Sequence, residues 1–108
     1  MILKSGVKVQ GFHPELNLGL FIANEVYAVH GVNMVVTSGT EGKHSRTSSH
    51  YLGLAADLRV RNLPNTVSPY DIAREIQSRL GPDYDVIFEG EGTPNAHIHL
   101  QFRPKYEA

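Results

Sequence analysis

The sequence predicts a small α+β domain, a mostly antiparallel sheet with helices packed on one face. Three observations predict it. Two segments carry apolar residues at steps of three and four between a helix-start signal and a glycine. Four shorter segments are rich in β-branched or alternating apolar residues, as strands are. The order helix, strand, strand, helix, strand, strand places strands next to one another in sequence, where they tend to pair. At 108 residues the chain supports one domain, residues 1–108, able to bury roughly 65% of its unfolded surface. No repeat, low-complexity tract or long Pro/Gly/Ser linker divides it.

The elements follow in order. From Pro14 to His30, PELNLGLFIANEVYAVH sets Leu16, Leu20, Ala23, Val26 or Tyr27, and His30 on one helical face, with Pro14 in the first turn and Gly31 at the end. Gly19 lies inside this helix against its propensity. Met34, Val35 and Val36 form a short buried strand that Ser38-Gly39 ends, and residues 39–49 are a polar loop. A second strand runs from about Leu54 to Val60, and RNLPNTVSP connects onward. Ser68-Pro69 is an N-cap and first-turn pair, Ile72, Ile76 and Leu80 recur every four residues, and Gly81-Pro82 stops the second helix. YDVIFE and AHIHLQF are the last two strands, joined by the loop GEGTPN.

Composition narrows the chemistry. Apolar residues make up 41% and charged residues 19%, an ordinary globular balance. A formal net charge of -1 supplies no field for nucleic acid or an anionic bilayer, so neither is an expected partner. With no cysteine and six histidines, any metal must be held by His, Asp and Glu. The start, MILKSGVKVQG, is too short in apolar residues for a signal peptide, so the chain is expected to be cytoplasmic as synthesised.

Two stretches carry the site: SSHYLGLAADLRV, residues 48–60, and NAHIHLQF, residues 95–102. Side chains two apart on a strand share a face, so His97 and His99 emerge together while Ile98, Leu100 and Phe102 face the core. Asp57 interrupts an apolar strand and needs a partner if buried. A metal ion would compensate its charge and recruit His50 from the preceding turn, where Gly53, Ala55 and Ala56 leave room. Catalytic zinc takes three such ligands and leaves a fourth position for water. His50, Asp57 and one of His97 or His99 would supply that set.

SSHYLGLAADL resembles the S-x-H-x-x-G-x-A-x-D motif of the M15 zinc peptidases at Ser48, His50, Gly53, Ala55 and Asp57. That group contains D-alanyl-D-alanine carboxypeptidases and dipeptidases and L-alanyl-D-glutamate endolysins. The stretch from about Thr37 to Phe102, down to AHIH, also resembles the signalling domain of hedgehog proteins, which shares the hedgehog/DD-peptidase fold and zinc site. The resemblance implies one zinc ion per chain, bound by His50, Asp57 and His99, with His97 beside the water. It implies an acidic general base, Glu89 or alternatively Glu91; many family members carry it three residues before the last histidine, where this chain has Ala96. Arg46 resembles the arginine that polarises the scissile carbonyl, and Ser48 a residue that orients substrate. The implied substrate is a peptidoglycan stem peptide, cut at a D-Ala-D-Ala or L-Ala-D-Glu bond. Small size further resembles the bacteriophage peptidases that another protein releases to the cell wall at lysis, and a cytoplasmic bacterial dipeptidase fits as well. The contrasting implication is a hedgehog-like zinc module that acts through protein contacts.

Overall fold

The computed structural model describes residues 1–41 and 48–105. Its elements are β1 (Ile2–Leu3), α1 (Pro14–Val29), β2 (Val35–Ser38), β3 (Ala55–Arg59), α2 (Pro69–Leu80), β4 (Tyr84–Glu89) and β5 (His97–Phe102). They form an α+β domain whose five-stranded sheet has the order β1-β2-β3-β5-β4. All pairings are antiparallel except the short β1–β2 ladder, which is parallel.

Both helices form where the sequence signals place them. Pro14 opens α1, and Gly31, at φ 73°, ends it by donating its N–H to the Ala28 carbonyl. Gly19 is explained by packing: an added Cβ would meet the Tyr84 ring at 3.1 Å, so the helix comes closer to β4 than an alanine permits. Ser68 caps α2, accepting the Tyr70 N–H at 3.2 Å.

One apolar cluster joins Leu16, Leu20, Ala23 and Tyr27 of α1, Ile72 and Ile76 of α2, and Ala56, Leu58, Val86, Ile98 and Leu100 of the sheet. Both helices therefore cover the same face. Polar groups also fasten them to it. Tyr27, fully buried, donates its hydroxyl to the Arg59 carbonyl at 2.8 Å and fixes the end of β3. The Gln77 side chain bonds the Tyr84 carbonyl at 2.7 Å and the Val86 N–H at 2.9 Å, tying α2 to β4.

Two features go beyond the sequence expectation. Ile2–Leu3 adds a strand, through Ile2 N–H to the Met34 carbonyl and Lys4 N–H to the Val36 carbonyl. And β4 does not neighbour β3, although α2 connects them: β5 lies between, so β3 and β4 run parallel with the last strand inserted as an antiparallel filler.

That insertion leaves the face opposite the helices as a block of cross-strand neighbours. Asp57 stands against His99 and Arg59 against His97 on β3 and β5, while Ile87 meets His99 and Glu89 meets His97 on β4 and β5. No helix among the described residues is long and apolar enough to cross a membrane.

Candidate metal centre

His50 reaches this face from a tight turn. The turn is closed by Leu52 N–H to the Ser48 carbonyl, Gly53 N–H to the His50 carbonyl and Leu54 N–H to the Ser49 carbonyl. Ser48 contributes its hydroxyl, which accepts the His50 N–H at 3.3 Å; its visible role is to shape the turn. Gly53 sits at φ 74°, and a Cβ there would run into the Gly11 carbonyl. The His13 N–H in turn bonds the Gly53 carbonyl at 3.0 Å, so the N-terminal segment crosses directly over this turn. Gly53→Ala combines a left-handed backbone with a backbone clash. It is expected to cost about 2–4 kcal/mol, read as a melting temperature lowered by on the order of 10 °C. A melting temperature equal to that of the parent protein would mean the turn is not built this way.

The site residues converge on one oxygen. Asp57 Oδ1 lies 3.3 Å from His50 Nε2, 3.1 Å from His99 Nδ1 and 3.7 Å from His97 Nε2. The His50 and His99 rings meet edge to face at a centroid distance of 5.2 Å. One ligand atom from each of His50, Asp57 and His99 falls within 4.8 Å of the others. His97 stands beside this group and makes its closer contact to Glu89, Nε2 to Oε1 at 3.1 Å.

The hydrogen bonds on the far sides of the rings decide what faces Asp57. His99 Nε2 lies 3.0 Å from Gln101 Oε1, an oxygen that can only accept, so Nε2 carries the hydrogen. In the neutral ring Nδ1 is then a lone pair aimed at a carboxylate oxygen. Two lone pairs at 3.1 Å repel unless a proton or a cation lies between them. A metal-binding histidine is ordinarily oriented in this way, its second nitrogen donating to an oxygen. His97 repeats the arrangement: Nδ1–H donates to the Asn95 carbonyl at 2.7 Å, turning the Nε2 lone pair toward Glu89.

Without a metal, protons take up the strain. Burial alone would push the Asp57 carboxyl up. The hydrogen bonds from His50 and His99, with the charges of His50 and His97, outweigh it and hold Asp57 far below the usual carboxylate range. The Asp57 bond correspondingly raises His99, against the opposing effect of burial.

The donor set fits zinc. Nitrogen and oxygen ligands at about 2.0–2.1 Å on a tetrahedron stand roughly 3.3 Å apart, close to the 3.1 and 3.3 Å that separate Asp57 Oδ1 from the two imidazole nitrogens. Two imidazoles and a carboxylate suit that ion chemically. The set can hold a metal ion and is compatible with zinc.

The two candidate bases part company. Glu89 ends β4 opposite His97 and touches it. Glu91, two residues on, stands beside the Tyr70 hydroxyl, whose ionisation its charge and hydrogen bond disfavour. Arg46 lies outside the described residues. Gln101 and Asn95, which set the two ring orientations, carry no signal of their own in the sequence beyond Gln101 sharing the face of His99 two residues away. Comparison with family models, with curated proteins and with solved structures finds no match to this chain.

Proposed function

We propose that the protein is a zinc-dependent peptidase of the M15 type, with the hedgehog/DD-peptidase fold, hydrolysing a D-Ala-D-Ala or L-Ala-D-Glu bond in a peptidoglycan stem peptide. The observation that carries the reading is the directed donor set: His50, Asp57 and an oriented His99 around one point, with the Glu89–His97 pair alongside. The resemblance of Ser48, His50, Gly53, Ala55 and Asp57 to the M15 motif supports it independently. A zinc ion in this set would supply Lewis acidity, acidifying water and polarising the scissile carbonyl.

The chain's own residues handle the protons. Glu89 Oε1, 3.1 Å from His97 Nε2, accepts a proton from the attacking water, and the pair returns it to the amine nitrogen as the C–N bond breaks. The Asn95 carbonyl holds His97 in the one tautomer whose Nε2 can share that proton. Water adds its oxygen to the acyl carbon and its two hydrogens end on the products, so no other reactant is consumed. Arg46 is proposed to polarise the carbonyl, and Ser48 to support substrate through the turn it caps.

The test is incubation of the zinc-loaded protein with muropeptides of defined sequence, followed by mass spectrometry. The expected product lacks a terminal D-Ala or is split between L-Ala and D-Glu, and chelation abolishes its formation. Zinc-dependent stabilisation without any cleavage would instead establish a zinc module that acts through protein contacts.

A further inference from the structure

Beside the metal centre a cleft of about 560 Å³ opens at the end of β3, bounded by Lys4, Arg59, Arg61, Asn95, Asp57 and His97 among others. Its charge is one-sided. Three permanent cations line it, and its one acid is Asp57, whose Oδ1 already faces three imidazole nitrogens. Elsewhere most of the described basic side chains are matched: Arg79 with Glu25, Arg74 with Asp71, Arg103 and Lys105 with Asp85. Among the described residues, the side chains of Lys4, Arg59 and Arg61 have no carboxylate partner.

Arg59 is the informative one. It follows Asp57 by two residues on β3, so it shares the metal centre's face, and its cross-strand neighbour is His97. Its position is half-buried, where an unpaired guanidinium loses hydration without compensation. A guanidinium offers a planar fork that matches a carboxylate with two parallel hydrogen bonds. Two residues of strand span about 6.6 Å, and one to two residues of extended peptide span about 3.5–7 Å. A peptide whose carbonyl lies at His50, Asp57 and His99 would therefore bring a carboxylate one or two residues away to Arg59.

We propose that Arg59, with Arg61 and Lys4 around it, is the specificity-determining subsite that binds a free carboxylate on the residue leaving as the amine. This rests on the peptidase reading for the direction of the peptide, though not for the existence of the anion subsite. The subsite selects anionic peptides, and amidation of that carboxylate removes its partner.

Equilibrium binding to the zinc-loaded protein tests it with two peptide pairs. One is a stem pentapeptide ending in D-Ala-D-Ala, with its C-terminal carboxylate free or amidated. The other is an L-Ala-γ-D-Glu peptide, with the glutamate α-carboxylate free or amidated. The expected result is that amidation weakens binding about tenfold or more in at least one pair, which also identifies which carboxylate is read. In Arg59→Gln that difference collapses, and Arg59→Lys restores part of it. Arg61→Gln, at an exposed position, narrows the difference without altering the fold. Equal binding of free and amidated peptides by the unmodified protein overturns the proposal, as does full discrimination retained in Arg59→Gln with an unchanged melting temperature. Turnover of the same peptides is followed in parallel. Discrimination without cleavage leaves the subsite standing and removes the peptidase; cleavage without discrimination does the reverse.

Discussion

His99→Ala is expected to abolish zinc binding, while His97→Ala keeps the metal and loses turnover. The two histidines share a strand face and each has one ring N–H tied to an oxygen, yet only His99 turns its other nitrogen onto Asp57 Oδ1, at 3.1 Å, whereas His97 turns Nε2 toward Glu89 and stands 3.7 Å from Oδ1. Removing it leaves His50 and Asp57, two ligands where a stable zinc site uses three or four protein ligands. The measurement is the melting temperature with and without zinc. An ion bound only to the native state stabilises by mass action, about 4 kcal/mol at a thousandfold excess over Kd, or on the order of 15 °C for a domain of this size. That increment should vanish in His99→Ala and persist in His97→Ala. Equal loss in both variants would make both histidines ligands and leave Glu89 as the sole proton carrier. No increment in the unmodified protein would overturn the metal centre itself.

Glu89→Gln is expected to lower kcat by roughly 100-fold or more while zinc binding stays intact. The substitution keeps size and hydrogen bonding capacity and removes the proton acceptor. His97 alone would then not substitute fully, because its Nε2 would lose the carboxylate that stands 3.1 Å away. Glu91→Gln serves as the contrast. Its carboxylate stands at Tyr70, away from His97, so its rate should stay within about twofold of the parent. A near-native rate for Glu89→Gln would pass the proton role to His97.

The two glutamates also show where reading the sequence stopped. In EGEG they are separated by one glycine, and no periodicity distinguishes a strand-end carboxylate from a turn carboxylate. What separates them is the register of β4 on β5, which pairs Glu89 with His97. The helices, by contrast, were legible to within a residue because their ends are written in local chemistry: Pro14 and Gly31, Ser68-Pro69 and Gly81. The grouping of His50, Asp57 and His99 was legible because it combines a spaced motif with a period-two pair of histidines. Two exposed residues, Ile2 and Leu3, are too few to show alternation, so β1 was not. Strand order was hidden too, since pairing of sequence neighbours is satisfied by β2 with β3 and β4 with β5 whether or not β5 then docks on β3. Asn95 and Gln101 look like any solvated polar residue until a ring nitrogen is found against them.

The docking of β5 on β3 would give a bound metal ion a mechanical meaning. Asp57 and His99 are 42 residues apart in the chain, and the segment between them contains all of α2 and β4. An ion held by both is a removable clasp around that whole segment, closing a loop whose entropy cost is about 3 kcal/mol. A metal site completed only after β3 and β5 have paired would be absent from the folding transition state, so the clasp would act chiefly on how slowly the chain comes apart. Chelation would then register first as faster unfolding, with the rate of refolding little changed. Metal supply would then govern how long each molecule lasts.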